Sequence, residues 1–251
     1  MSVAQHPVLV AGAGPGLGLA IARRFGREGH PVALLSRTED RHDGYLRSLR
    51  EEGITAIAVA ADVGRPEQVR AAVTTVTERL GPIGVLYYGP GAADPAARPT
   101  PILQTQVSEV SEAMRAFVHP AVDLTRLLVP GMVERGAGTL LFVAGLGAVV
   151  PLPGLGALAV ASAALRTYAL TTGAALAGTG VYAGALVIGG LVEGGDIHRH
   201  VVETVGPDGT AGLPTLQPDD VADAAWELAA RRDRPEATFN ALDERMLTAR
   251  P

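Results

Sequence analysis

Val8-Leu9-Val10-Ala11-Gly12-Ala13-Gly14-Pro15-Gly16-Leu17-Gly18-Leu19-Ala20-Ile21-Ala22 is the stretch on which the reading of this chain turns. Its apolar opening runs into glycines and then into apolar residues at helical spacing that continue to Gly29. A short apolar run flanked by breakers predicts a buried strand, and the spacing after it predicts a helix over Leu17 to Gly29. A second apolar run, Pro31 to Ser36, completes a β-α-β unit. Gly12, Gly16 and Gly18 then fall at the strand-to-helix turn. There, missing β-carbons permit a tight bend and let the backbone approach a pyrophosphate at the helix N-terminus, with Gly14, Pro15 and Leu17 in the same turn.

Outward from this unit the alternation continues. Helices are predicted near Arg41 to Glu52 and from Pro66 to Leu80, strands at Ile54 to Ala60 and Ile83 to Tyr88. Further strands are expected at Thr139 to Val143, Val181 to Val187 and Ala237 to Asn240, with helix-length pieces between them. Alternating elements with near-continuous apolar strands give an α/β fold, a Rossmann-like doubly wound parallel sheet of about seven strands with helices on both faces. At 251 residues, 47% of them hydrophobic, the chain is expected to form a single domain, residues 1–251. Residues 190–215, rich in glycine and polar side chains ahead of Pro218, read as a mobile lid over a substrate.

The net charge of −5 offers no broad basic field for nucleic acid, so no nucleic-acid partner is expected. The chain has no cysteine, which excludes disulfides, thiolate chemistry and cysteine metal sites. No metal site is expected. The N-terminus lacks a basic region followed by an apolar one, so a cytoplasmic location is expected. Between Arg135 and Glu193 the only charged side chain is Arg166. Pro151, Pro153 and several glycines interrupt that stretch, however, and it reads as buried strand, loop and helix with no membrane partner.

The turn from Val8 to Phe25, with its Gly-x-x-x-Gly-x-Gly spacing, resembles that of the short-chain dehydrogenase/reductase family, and the resemblance extends over roughly residues 6 to 240. It implies a nicotinamide dinucleotide. Ser36-Arg37 ends the second strand where an NAD-preferring relative would carry an acid, so the resemblance implies NADP(H) over NAD(H), with Ser36 and Arg37 on the 2′-phosphate. The alternative for Arg37 is a solvated surface arginine. Asp62-Val63 matches the family pair that flanks the adenine, although an aspartate at a strand end also serves as a turn residue. Gly89, in Tyr88-Gly89-Pro90-Gly91, lies where the family has Asn-Asn-Ala-Gly.

Departures appear where the family carries its chemistry, an Asn, Ser, Tyr and Lys relay. Aligned on Thr125-Arg126 and Pro130, Phe117 takes the Asn position. Gly145 takes the Ser position, Leu158 the Tyr position and Ser162 the Lys position. The chain has no lysine at all, its 21 basic residues being arginines. Positioned acid–base groups contribute about 10²–10⁴-fold in rate, so their loss puts ordinary carbonyl reduction in question. His119 is expected to miss the site, His198 and His200 to be solvated, and Tyr168 lies too far along its helix. Tyr88 is the remaining catalytic candidate, packing being the alternative.

Three functions fit these residues. The first is an atypical NADP(H)-dependent oxidoreductase acting on an apolar small molecule without the usual relay. The second is a non-redox enzyme, a cyclase, isomerase or dehydratase, on the same scaffold. The third is a catalytically silent nucleotide-binding or oligomeric support protein. The resemblance also implies a homo-dimer or homo-tetramer, formed through an almost uncharged helix around Gly156 to Ala177.

Overall fold

In the computed structural model the described residues are 5–89, 91, 98–209 and 214–242. Among them, strands and helices alternate as β1 (Val8–Ala11), α1 (Leu17–Arg27), β2 (Val32–Ser36), α2 (His42–Glu51), β3 (Ala56–Ala60), α3 (Pro66–Leu80) and β4 (Val85–Tyr88). The second half runs α4 (Val107–Ala113), a π-helical turn (Met114–Val118), α5 (His119–Arg135), β5 (Gly138–Gly145), α6 (Gly156–Ala175) and β6 (Val181–Gly189). It ends with β7 (Leu191–Val192), α7 (Asp196–Gly209), β8 (Thr215–Leu216), α8 (Pro218–Arg231) and β9 (Glu236–Asn240). Seven strands form one parallel sheet in the order β3-β2-β1-β4-β5-β6-β9. The sequence expects a doubly wound parallel sheet of this size, and the observed strand order places its switch point between β1 and β4.

Successive side chains of a strand point to opposite faces, and the inner strands bury both. Leu9, Leu86, Tyr88, Leu140 and Phe142 face α3, α5 and α6 through Val76, Leu124, Met132 and Leu165. Val8, Val10, Leu34, Tyr87 and Leu141 face α1, α2 and α8 through Ile21, Phe25, Leu49 and Leu228. Truncating one of these fully buried leucines to alanine removes about 2–5 kcal/mol. The apolar stripe of α1 explains why it folds against this sheet. Leu17, Ala20, Ile21 and Phe25 are buried on one side, while Arg24 and Arg27 occupy its last turn.

α5 stops at Gly136, whose left-handed φ of +66° turns the chain into β5. α8 begins with Pro218 at its first position, as its sequence suggests. The segment read as a mobile lid contains α7, kinked at Gly206, and a small parallel pair of β7 with β8. Its residues 210–213 lie outside the described ones. No helix among the described residues is long and apolar enough to cross a membrane.

Candidate functional site

The C-terminal ends of β1, β2, β3 and β4 are stitched into one edge by backbone bonds. Gly12 and Ala13 N–H both donate to the Leu35 carbonyl at 3.0 Å, Ala61 N–H to Ser36 at 2.9 Å, and Gly89 N–H to Ala11 at 2.9 Å. The glycine-rich turn, the Ser36-Arg37 corner, Asp62 and Gly89 therefore border one cleft. This is where open α/β sheets bind ligands.

Within the turn, Gly12 has φ +104°, a conformation that side chains disfavour. Gly18 is required for a different reason, since a β-carbon there would stand 2.5 Å from the Gly12 carbonyl oxygen. The two glycines press the turn onto the start of α1, where Leu19 N–H donates to Gly14 and Ala20 N–H to Gly16. No side chain caps this N-terminus and no acid lies in its first turn. Its partial positive charge thus faces the cleft, an arrangement suited to a phosphate.

At the end of β2 the Ser36 hydroxyl donates to the Thr38 carbonyl at 2.9 Å and lies 2.7 Å from His42 Nε2. Its one proton is engaged by Thr38, so the imidazole is the donor in the second bond and carries a proton on Nε2. His42 is buried. Ser36 thereby organises the turn into α2, and the side chain presented outward at this corner is the exposed Arg37 guanidinium. The sequence reading missed His42, whose only signal was its place as the first residue of an amphipathic helix.

Asp62 closes a turn on itself, with Gly64 N–H donating to its Oδ1 at 2.9 Å, while its own N–H donates to Gln68 Oε1 at 2.8 Å. Val63 packs against the core on the α3 side.

The four positions compared with the family's relay come from three elements. Gly145 ends β5, and its N–H donates to Ser162 Oγ at 3.3 Å. A β-carbon at Gly145 would lie 3.1 Å from the same oxygen, so the two positions meet in space as the family resemblance implies. Leu158 stands one turn earlier on the same face of α6 and is 37% exposed. Phe117 lies in the π-helical turn, a local widening common at functional sites. Its ring is half-buried against the core.

Tyr88 does not open to the cleft as expected of a proton donor. It is 0% exposed, and its hydroxyl donates to the Phe117 carbonyl at 3.0 Å. Burial raises its ionisation far above the ordinary phenol value. The physical reason is that β4 is central and covered on both faces, so the phenol fills core space and satisfies a carbonyl of the π-turn. Tyr87, on the opposite face, is likewise enclosed and its ionisation raised by burial.

The histidines fall as expected or to local duties. His119 is exposed. His198 Nδ1 accepts from Gly194 N–H at 3.4 Å, and His200 lies beside Thr204 one turn on. Among the described residues no three acidic or histidine side chains form a metal-binding group. A cleft of about 500 Å³ lies at the opposite end of the sheet, between the end of α6 and the start of β6. Its Arg232 donates to Gly180 and Thr139, and its Arg234 pairs with Glu227 and Asp233, so its cations serve the fold.

The short chain dehydrogenase family model matches residues 6–202. Dehydrogenase/reductase SDR family member 4 of Sus scrofa is 29% identical over 161 residues, 62% of this chain and 55% of that protein. Ketoacyl reductase HetN of a Nostoc species is 32% identical over 139 residues, 55% of this chain and 47% of that protein. The chain thus spans about half the length of the curated relatives it matches. In fold, L-sorbose reductase of Gluconobacter frateurii complexed with NADPH and L-sorbose aligns with TM-score 0.79 and 26% identity over 99% of each chain. Actinorhodin polyketide ketoreductase with NADPH aligns with TM-score 0.80 and 25% identity over 98% of each. With its glycine turn, strand order and most of its length accounted for in this way, the chain belongs to the short-chain dehydrogenase family.

Proposed function

We propose that this protein binds NADP(H) in the cleft bordered by Gly12, Gly16 and Gly18 and acts as an oxidoreductase on an apolar small molecule. The observation that carries the reading is the uncapped N-terminus of α1 behind a turn that tolerates only glycine at position 18, with Arg37 as the cation at the end of β2. Such residues fit a dinucleotide. The helix end and backbone N–H groups hold the pyrophosphate, and the Arg37 guanidinium grips a 2′-phosphate through parallel hydrogen bonds. Two relatives of the same fold carry NADPH, which supports the nicotinamide assignment.

A bound nicotinamide would supply or accept the hydride. The chain's own contribution near it is shape, because Phe117, Gly145 and Leu158 present no acid or base and Ser162 offers only a hydroxyl. Proton transfer in this reading goes to or from water or a substrate hydroxyl. The same apolar set favours a carbon-rich substrate, and holding it in a reactive geometry lowers the barrier by several kcal/mol, on the order of what proximity alone contributes.

A second reading is non-redox chemistry on the same scaffold, favoured by the largely apolar Phe117, Gly145, Leu158 and Ser162 set, which suits holding a molecule in a reactive geometry. Turnover without a change in nicotinamide absorbance would select it. Calorimetric titration tests the first reading: NADP(H) is expected to bind more tightly than NAD(H), with Arg37→Ala reducing the preference about tenfold or more, as a charge-assisted contact implies. Equal affinity for the two dinucleotides overturns the specificity, and binding of neither overturns the oxidoreductase. Once a substrate is found, Ser162→Ala should slow turnover less than about tenfold and Gly145→Leu, which drives bulk into the space of Ser162, should slow it more.

A further inference from the structure

The segment that follows β6 is fastened on both sides of the nucleotide cleft. On one side it lies against the glycine turn, where a β-carbon at Gly16 would come 3.0 Å from Gly195 Cα and 3.2 Å from Val192. On the other, Asp196 at the start of α7 receives Arg41 Nη1 on both carboxylate oxygens, each at 2.9 Å. The two residues lie 155 positions apart, so this is a tie between distant parts of the chain. Arg199, within the first turn of α7, donates to the same carboxylate.

Arg41 is held at the Ser36-Arg37 corner because the next residue, His42, is buried and bonded to Ser36. The Tyr45 hydroxyl lies beside the Arg41 guanidinium, enclosed and without a well-formed hydrogen bond among the described residues. The Arg41–Asp196 pair itself is open to solvent, with side chains 50% and 39% exposed. Exposed pairs of this kind contribute little to stability, so a stronger anion can take the guanidinium at small loss.

We propose that Arg41 is a second reader of the cofactor's 2′-phosphate, and that Asp196 occupies it in the absence of that phosphate, so that NADP(H) unlatches α7 whereas NAD(H) leaves it tied. The inference rests on the NADP(H) binding proposed above. A phosphate monoester offers three acceptor oxygens and close to two negative charges, against one charge on the carboxylate. A guanidinium has donors to grip it bidentately. Held between Arg37 and Arg41, the phosphate also repels Asp196, which favours separation. Released, Asp196 keeps Arg199 as its partner and keeps its favourable place at the N-terminus of α7, so unlatching leaves no uncompensated charge. Discrimination between the dinucleotides is then expressed in the lid as well as in affinity.

The test uses the full chain, with Asp196→Asn and Arg41→Gln, and follows amide hydrogen exchange across residues 191–204 alongside calorimetric titration. The probes are NADP⁺, NAD⁺, 2′,5′-ADP and 5′-ADP. In the parent, NADP⁺ and 2′,5′-ADP are expected to speed exchange in that segment while NAD⁺ and 5′-ADP do not. Both variants should show the faster exchange without any nucleotide. Asp196→Asn should bind NADP⁺ up to about fivefold more tightly, the size of the exposed pair it removes, and Arg41→Gln about tenfold more weakly, the size of one charge-assisted contact, with NAD⁺ affinity within about twofold in both. Equal lid responses to NADP⁺ and NAD⁺, or parent-like NADP⁺ affinity in both variants, overturn the proposal alone. A parent that binds neither dinucleotide overturns the functional reading and this proposal with it.

Discussion

Gly18→Ala, compared with Gly44→Ala, isolates the close approach that shapes the glycine turn. Both glycines lie in the first turn of a helix, α1 and α2 respectively, and alanine is favoured over glycine in helices by up to about 1 kcal/mol. Around Gly44 a β-carbon meets nothing within 4 Å, so its substitution should keep that gain. At Gly18 the added carbon would stand 2.5 Å from the Gly12 oxygen and 3.0 Å from Ala13 Cα, both backbone atoms. The first distance is roughly 0.8 Å shorter than a close carbon–oxygen contact, and relief requires moving the turn itself. Overpacking of this kind costs about 1–3 kcal/mol, which outweighs the propensity gain. For a chain of this length 1 kcal/mol corresponds to about 2–4 °C, so Gly18→Ala should melt several degrees below Gly44→Ala in thermal unfolding followed by circular dichroism. NADP⁺ affinity should fall at least about tenfold in Gly18→Ala and stay unchanged in Gly44→Ala, because the displaced turn is the one assigned to the pyrophosphate. If Gly18→Ala proves as stable as Gly44→Ala and binds NADP⁺ like the parent, the reasoning about this turn is refuted.

Tyr88→Phe leaves the Phe117 carbonyl without its partner at 3.0 Å and should destabilise the fold by about 1–3 kcal/mol in urea unfolding. A variant of parental stability that had lost turnover would return Tyr88 to the chemistry. His30 donates from Nδ1 to the His6 carbonyl at 2.7 Å, and burial holds its pKa below the usual 6.5 despite Glu28 nearby. Between that lowered value and 6.5 the unfolded chain binds more protons, so stability should fall as pH drops through this window and level off below it. The single tryptophan, Trp226, packs edge-on 5.9 Å from the imidazole, and its fluorescence should titrate with a midpoint below 6.5 that His30→Asn abolishes. A midpoint at or above 6.5 would contradict the burial argument. Leu127 and Val133 on α5 and Val160 on α6 leave apolar surface exposed, so sedimentation should find a dimer or tetramer at micromolar concentration, with Val160→Glu shifting it toward monomer.

The order of elements and the glycine turn were legible in the sequence because short-range rules govern both. Apolar runs between breakers mark the strands from β1 to β6, and only glycine satisfies the backbone at positions 12 and 18. The meeting of Gly145 with Ser162 follows from the family resemblance, which set both at positions of one relay, and not from local spacing. Other features were decided by the tertiary structure. Alternation along β4 said that Tyr87 and Tyr88 face opposite ways, but helices on both sides of the sheet determined that neither reaches the cleft. The partner of the Tyr88 hydroxyl is a backbone carbonyl of the π-turn, a feature with no residue signature in this chain. Glycine and polar composition in the lid marked a loop, whereas α7 forms there with Asp196 in its first turn, tied to Arg41 across 155 residues. Local propensity acts over a few neighbours. A pairing between distant exposed charges exists only once the sheet has brought the ends of β2 and β6 to the same edge.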